Sequence, residues 1–176
     1  MEHSMDDHTR GAPSKAAIVG HPIHPMLVPF PIAFLTGALL TDLAYWWTGE
    51  PFWARTSLWL VGGGLVGGGL AAIFGLTDFL TIRRVREHTD GWVHFLGNVA
   101  VLALALTSLV LRLRGATVAV LPWGLGLSWT TVGLLLVTGW YGGELAYRHL
   151  IGVTGHGPQQ DASQPEGVQQ HHSSSD

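Results

Sequence analysis

The residues best able to do chemistry in this sequence are histidines at the edges of apolar segments. His21 and His24 stand in the run Gly-His-Pro-Ile-His-Pro at residues 20–25. Each proline pushes the preceding histidine toward extended backbone, and a polyproline turn repeats about every three residues, so both imidazoles would face one way. Pro25 then suits the first position of a helix. Two interpretations have similar weight: a rigid start to that helix, or a fixed arm that presents two ligands.

His94 is the third candidate ligand. It lies about one turn into an apolar segment, with Asn98 one turn further on the same helix face. The dipole at a helix N-terminus disfavours the imidazolium, so His94 is expected to be neutral and able to bind a metal. The alternative is a histidine that is hydrogen-bonded to a neighbouring helix, with Asn98 bonding between helices.

Two ligand sets follow from these positions. A b-type haem needs two axial ligands from facing segments at similar depth, and it usually lies deeper in a bundle than these histidines do. The histidines that could supply the axial pair are His24, His94 and His149. Imidazole with carboxylate suits a shallower site for iron, copper or zinc. The candidate ligands of such a compact metal site are His21, His24, His94 and Asp78.

Other ionisable groups in the apolar segments also have structural explanations. Asp78 is expected to pair with an arginine at position 83 or 84. Glu144 and Arg148 have the (i, i+4) spacing of a helical ion pair, and a cationic His149 is favoured at a helix C-terminus. Asp42 is expected to be hydrated or linked to its neighbour Thr41. No nucleophile–base motif is visible, which argues against a hydrolase and leaves open whether the protein is an enzyme.

Four long apolar blocks must position these side chains. Hydrophobic residues make up 47% of the 176-residue chain and charged residues 12%, about half the roughly 25% usual for soluble domains. Each block is long enough to cross a bilayer. The predicted fold is therefore an all-α, integral membrane four-helix bundle over residues 20–153, between a flexible tail (1–19) and a disordered tail (154–176). The predicted helices are about 26–47, 57–82, 92–111 and 127–150.

Basic residues predict the orientation of these helices. An even number of spans puts both termini on one side, and the positive-inside rule assigns the more basic side to the cytoplasm. The terminal side holds Arg10, Lys15, Arg83, Arg84, Arg86 and Arg148, and the other side only Arg55, Arg112 and Arg114. All the candidate histidines then lie toward the cytoplasmic face of the membrane.

Glycines dominate the second apolar block, at residues 62–64 and 67–69. They form small-xxx-small registers that let helix backbones approach closely, as does the pair Gly139 and Gly143 in the fourth block. Helix packing is favoured over a cofactor lying on the glycine face, with close neighbours on more than one side. Dimerisation through these faces stays open.

The composition also excludes several functions. The sequence contains no cysteine, which removes disulfides, thiolate metal sites and covalent c-type haem attachment. Its formal net charge is −3, so no basic surface for nucleic acid is evident.

The run of residues 20–32, Gly-His-Pro-Ile-His-Pro-Met-Leu-Val-Pro-Phe-Pro-Ile, resembles the start of a bacterial membrane protein family, domain of unknown function 2231. The closing run of residues 142–149, Gly-Gly-Glu-Leu-Ala-Tyr-Arg-His, and the pair His94 and Asn98 resemble the same family. Ala146 departs from the bulkier valine expected before Tyr147. The resemblance covers residues 20–153 and implies four membrane helices. Relatives fused to Rieske-type or cytochrome domains imply redox work, by association alone.

Three functional hypotheses remain. The leading one is a redox or electron-transfer module that holds a b-type haem or a transition metal ion between histidines. The second is a non-enzymatic assembly subunit that docks through its glycine faces. The third is a small transporter, which no pair of proline-broken helices supports. The expected partners are the lipid bilayer and either membrane redox proteins or a second copy of the chain.

Overall fold

Four helical spans, each long and apolar enough to cross a membrane, make up most of the described chain. The computed structural model describes residues 13–19 and 21–150. Within them the spans are Ile23–Thr48, Pro51–Thr81, Thr89–Leu113 and Ala116–Arg148. The predicted all-α, four-helix membrane architecture is confirmed. Most of the two predicted tails lies outside the described residues.

Short elements flank and interrupt the long helices. Two-residue strands, β1 (Ala17–Ile18) and β2 (His21–Pro22), pair antiparallel before the first span. The helices are α1 (Ile23–Leu27), α2 (Pro29–Thr48), α3 (Pro51–Thr81), α4 (Arg83–Glu87), α5 (Thr89–Leu113), α6 (Ala116–Ala119) and α7 (Leu125–Gly143). A kink at Leu121, which has non-helical φ and ψ, lies within the segment Val120–Gly124 that precedes α7, and a π-helical turn follows α7 at Glu144–Arg148.

The helix boundaries differ from the predicted ones mainly at prolines and glycines. Gly49 ends α2 in the left-handed conformation (φ 69°), and Pro51 starts α3 six residues before the predicted position. Proline is pre-organised for the first helical position, and glycine reaches positive φ at little steric cost. At the start of the first span, α1 begins at Ile23 rather than at Pro25, so His24 is helical while His21 stays in β2.

The four spans pack in a closed ring. Helix α2 packs against α3 and α7, and α5 packs against the same two helices, which places α2 and α5 on opposite corners. A buried cluster of Leu35, Val101, Ala105 and Leu135 fills the centre between them. Large apolar side chains face outward from every span, among them Leu40, Ile73, Leu106 and Leu136. Lipid is the natural solvent for such a surface, because soluble proteins rarely expose large contiguous apolar patches.

Glycines of α3 sit where neighbouring helices approach it. A Cβ atom on Gly64 would lie 2.7 Å from Leu35 of α2, and one on Gly68 would lie 2.8 Å from Leu102 of α5. Helix α3 therefore uses glycine on two sides, which confirms the predicted role in close helix packing. A Cβ atom on Gly69, by contrast, would have no such neighbour within 4 Å.

We therefore expect Gly64→Leu and Gly68→Leu to destabilise the protein, because each new side chain must push a neighbouring helix away. Overpacking of this kind costs about 1–3 kcal/mol. Gly69→Leu is the matched control, since it adds the same side chain to the same helix in open space. Thermal unfolding in mild detergent measures the difference. Equal stability of all three variants would mean that Gly64 and Gly68 do not make these contacts.

Candidate functional site

His24 and His94 meet between opposite corners of the bundle. His24 lies in α1, at the start of the first span, and His94 lies in the second turn of α5. Their ring centroids are 6.1 Å apart and the ring planes are perpendicular. The predicted approach of these two side chains is thus observed, while the ligand they would share stays a prediction. We call His24 and His94 the histidine pair.

Each ring of the histidine pair is held by the same kind of hydrogen bond. His24 Nδ1 donates to the carbonyl oxygen of Ala71, and His94 Nδ1 donates to that of Thr138, both at 2.8 Å. A carbonyl oxygen can only accept, so Nδ1 carries the hydrogen in each ring. In the neutral imidazole this leaves a lone pair on Nε2, the nitrogen available to a metal.

A glycine makes room for each ring. Gly75 lies one turn beyond Ala71, and a Cβ atom there would stand 2.8 Å from His24 Nδ1. Gly142 lies one turn beyond Thr138, and a Cβ atom there would stand 2.8 Å from His94 Cε1. Any larger residue at either position would displace the imidazole from its carbonyl partner. Each histidine ring therefore lies against a glycine and the carbonyl group one turn before it: Gly75 with Ala71 on α3, and Gly142 with Thr138 on α7. We call these two sites the glycine seats.

The Asn98 side chain forms its hydrogen bond within α5 rather than with a neighbouring helix. Its Nδ2 donates to the His94 carbonyl oxygen at 2.7 Å and lies 3.4 Å from His94 Nε2. The contact to Nε2 is long, so it holds that nitrogen only weakly. An amide donor directed at Nε2 agrees with the placement of the ring hydrogen on Nδ1.

The other two proposed metal ligands have separate partners. His21 is exposed, and its Nδ1 donates to the Val19 carbonyl oxygen. Asp78 accepts hydrogen bonds from the Ser14 hydroxyl and from the backbone N–H groups of Lys15 and Ala16, at 2.6–3.2 Å. The expected pairing of Asp78 with an arginine is replaced by these bonds, because the segment before β1 folds back onto the end of α3.

His149 belongs to a second cluster at the same end. Its Nε2 donates to Asp90 Oδ2 at 3.0 Å, and its ring packs on that of His88 with centroids 4.1 Å apart. The predicted ion pair between Arg148 and Glu144 is present, at 3.0 Å. Residues 13–19 and 21–150 contain no group of three or more histidine, aspartate or glutamate side chains placed to hold a metal ion. Of the proposed ligands, the structure brings only His24 and His94 into one pair.

The most deeply buried polar group lies at the other end of the bundle. Asp42 of α2 and Arg112 of α5 form a two-point ion pair, with Nη1–Oδ1 and Nη2–Oδ2 distances of 2.9 and 2.7 Å, and both side chains are 0% exposed. The hydroxyls of Ser57 and Ser128 each donate to the carboxylate at 2.6 Å, and Ser108 accepts from Arg112 Nε at 3.1 Å. We call these five residues the polar layer.

The expectation that Asp42 is hydrated or linked to Thr41 is wrong. Thr41 instead donates to carbonyl oxygens of its own helix, at Gly37 and Ala38. A buried carboxylate needs a charged partner, and Arg112 supplies one from the opposite corner. The predicted third helix ends at residue 111, so Arg112 lies just beyond it in the prediction, whereas the structure places it in the last turn of α5. The available signal was an acid in the first apolar block and a base just after the third, near the same membrane face.

Comparison with known proteins identifies the chain at the level of a family. Residues 20–155 match a family described as "Predicted membrane protein (DUF2231)". Neither the curated proteins nor the solved structures include a match.

The glycine seats give a direct test of the site geometry. We expect Gly142→Ala to push His94 away from Thr138, because the added methyl would overlap the ring. Loss of one such hydrogen bond costs about 0.5–1.5 kcal/mol. Gly143→Ala is the matched control, since a Cβ atom there has open space. Denaturant unfolding in detergent measures both, and equal stabilities would contradict the tight seat.

Proposed function

The chain belongs to the DUF2231 family of predicted membrane proteins, and we propose that it is a membrane redox module in which His24 and His94 bind one b-type haem. The observation that carries this proposal is the approach of two Nδ1-anchored imidazoles, 6.1 Å apart between centroids. Two metal–nitrogen bonds of about 2.0–2.1 Å and half the width of each ring add up to roughly 6 Å. The ring separation is therefore compatible with one metal between the two rings.

The number of protein ligands favours haem over a compact metal site. A haem iron takes four nitrogens from its macrocycle and needs only two axial ligands from the protein. A tetrahedral ion such as zinc needs three or four. Within the described ranges the histidine pair gains no third carboxylate or imidazole. A transition metal ion held by the pair remains the alternative cofactor.

The surrounding residues would prepare the histidines for such a ligand. Hydrogen bonds from Nδ1 to the carbonyl oxygens of Ala71 and Thr138 fix the ring orientations and make Nε2 more basic. Gly75 and Gly142 let each ring lie close to its partner helix. When bound, the haem iron supplies one-electron transfer, and the expected partners are other membrane redox proteins.

A second candidate function is an assembly subunit, and the outer face of α7 favours it. Cβ atoms on Gly139 and Gly143 would meet nothing within 4 Å. This small-xxx-small pair is thus unused inside the monomer and could pack against a helix of another membrane protein or of a second copy. The two functions differ in one property, the presence of a cofactor.

Absorption spectroscopy tests the haem proposal. We expect protein purified in mild detergent, after expression with ample haem and metals, to show a Soret band. His94→Ala should abolish that band, because it removes one of the two axial ligands. His149→Ala is the matched control: it removes a histidine from the same end of the bundle, and the band should persist.

Metal analysis of the same samples separates the alternatives. A colourless protein with stoichiometric metal that His94→Ala removes would favour the metal ion. A colourless and metal-free wild type would end the redox proposal in favour of the assembly subunit.

We further propose that the protein resides in the bacterial inner membrane with both termini in the cytoplasm, from the arginine distribution. The chain lacks cysteine, so single cysteines can report its topology. In intact cells, Arg114→Cys should react with a membrane-impermeant thiol reagent, and Arg83→Cys should react only after lysis. Both side chains are exposed, which makes the two sites comparable. The reverse labelling pattern would invert the topology.

A further inference from the structure

The first and third spans bury equivalent residues. Helix α2 buries Pro31, Leu35, Ala38, Leu39 and Asp42, and α5 buries Gly91, Val101, Ala105, Ser108 and Arg112. Apart from Leu39 and Gly91, each buried residue of α5 lies 70 positions after a buried residue of α2, the separation of Asp42 and Arg112 themselves. His24 and His94 have the same separation (94 − 24 = 70). The histidine pair and the ion pair are therefore the two ends of one repeated pattern.

The second and fourth spans repeat in the same way, at an offset of 67 residues (142 − 75 = 67). Ala71 and Thr138 accept the two histidine bonds, and Gly75 and Gly142 form the two seats. Buried positions further along the helices also match at this offset: Ser57 with Gly124, Val61 with Ser128, and Gly64 with Thr131.

The packing agrees with two equivalent halves. We call α2 with α3 hairpin one, and α5 with α7 hairpin two. Exchanging the hairpins turns the α2–α7 contact into the α5–α3 contact, and both contacts are present. Such parallel repeats are related by an axis along the membrane normal. The axis passes between the two histidines at one end and between Asp42 and Arg112 at the other.

The polar layer is where the two halves differ in charge. His24 and His94 are identical residues at equivalent positions, whereas Asp42 and Arg112 are opposite charges at equivalent positions. Each lies 18 residues beyond its histidine (42 − 24 = 18; 112 − 94 = 18), which is about 27 Å along a helix. Two acids or two bases here would repel each other in a buried environment, so the opposite charges favour pairing of hairpin one with hairpin two over pairing with a copy of itself.

We propose that Asp42 and Arg112 are positioning residues for the histidine pair, because they lock the register of the two hairpins. A slip by one helical turn would move one hairpin by about 5.4 Å, enough to break both the two-point ion pair and the approach of the histidines. All four spans contribute to the layer through Asp42, Ser57, Arg112 with Ser108, and Ser128. The haem readout below rests on the proposed function, but the distance readout does not.

Charge exchange tests the proposal in the full chain. Nitroxide labels at His24→Cys and His94→Cys should show strong dipolar broadening, since the native rings lie 6.1 Å apart and the sequence has no other cysteine. Adding Asp42→Arg or Arg112→Asp alone should remove the broadening, because like charges then face each other. Adding both should restore much of it, because the equivalent positions exchange roles. Full broadening in the single reversals, or no recovery in the exchange, would overturn the proposal.

A neutral double variant distinguishes a role of Asp42 and Arg112 in positioning the histidine pair from a role in the stability of the fold alone. Buried ion pairs can often be replaced by apolar residues without loss of stability, so Asp42→Leu with Arg112→Met should still accumulate as a folded protein. We expect weaker dipolar broadening between the labels than in the parent. In haem-loaded protein with both histidines intact, we expect an altered low-spin iron signal. Parental broadening in this variant would show that the pair is structural only. If the wild type binds no haem, the distances between the labels still test whether Asp42 and Arg112 position the histidine pair.

Discussion

A carboxylate and a guanidinium buried together in the membrane are the constraint on which the packing of this bundle depends. Neither the Asp42 nor the Arg112 side chain has any exposed surface, and the desolvation of such a pair is offset only when its geometry is close and its remaining polar atoms are bonded. The two-point contact and the serine hydroxyls meet this condition. Because all four spans supply residues to the polar layer, the layer fixes the positions of the helices relative to one another along the bundle axis.

Glycine makes the rest of that arrangement possible. Lipid offers no hydrophobic driving force between membrane helices, so the helices associate through close packing and interhelical hydrogen bonds. Gly64 and Gly68 bring α3 against its two neighbours along the centre of the bundle. Gly75 and Gly142 do the same for the histidine rings at the far end. The same property, a missing side chain, thus allows helix packing in one place and fixes the orientation of a histidine ring in another.

The sequence predicted local features well and partnerships poorly. Apolar length fixed the number of spans, and the glycine registers indicated the face of α3 that packs. Alternating helix direction was enough to bring His24 and His94 to one end. The partners of Asp42 and Asp78 could not be predicted, because the first lies 70 residues away on another helix and the second lies in a segment that looked like a flexible tail.

The pseudo-symmetry explains why these two kinds of residue occupy the axis. Equivalent positions of the two hairpins face each other there, so an exact repeat would place the same residue on both sides. Two neutral imidazoles tolerate this, since they carry no like charges and each Nδ1 donates to a carbonyl oxygen of its own neighbouring helix. Two buried carboxylates do not, because like charges at this depth have neither water nor a counter-ion. An acid opposite a base avoids this repulsion, and the resulting ion pair fixes the relative position of the two hairpins along the bundle.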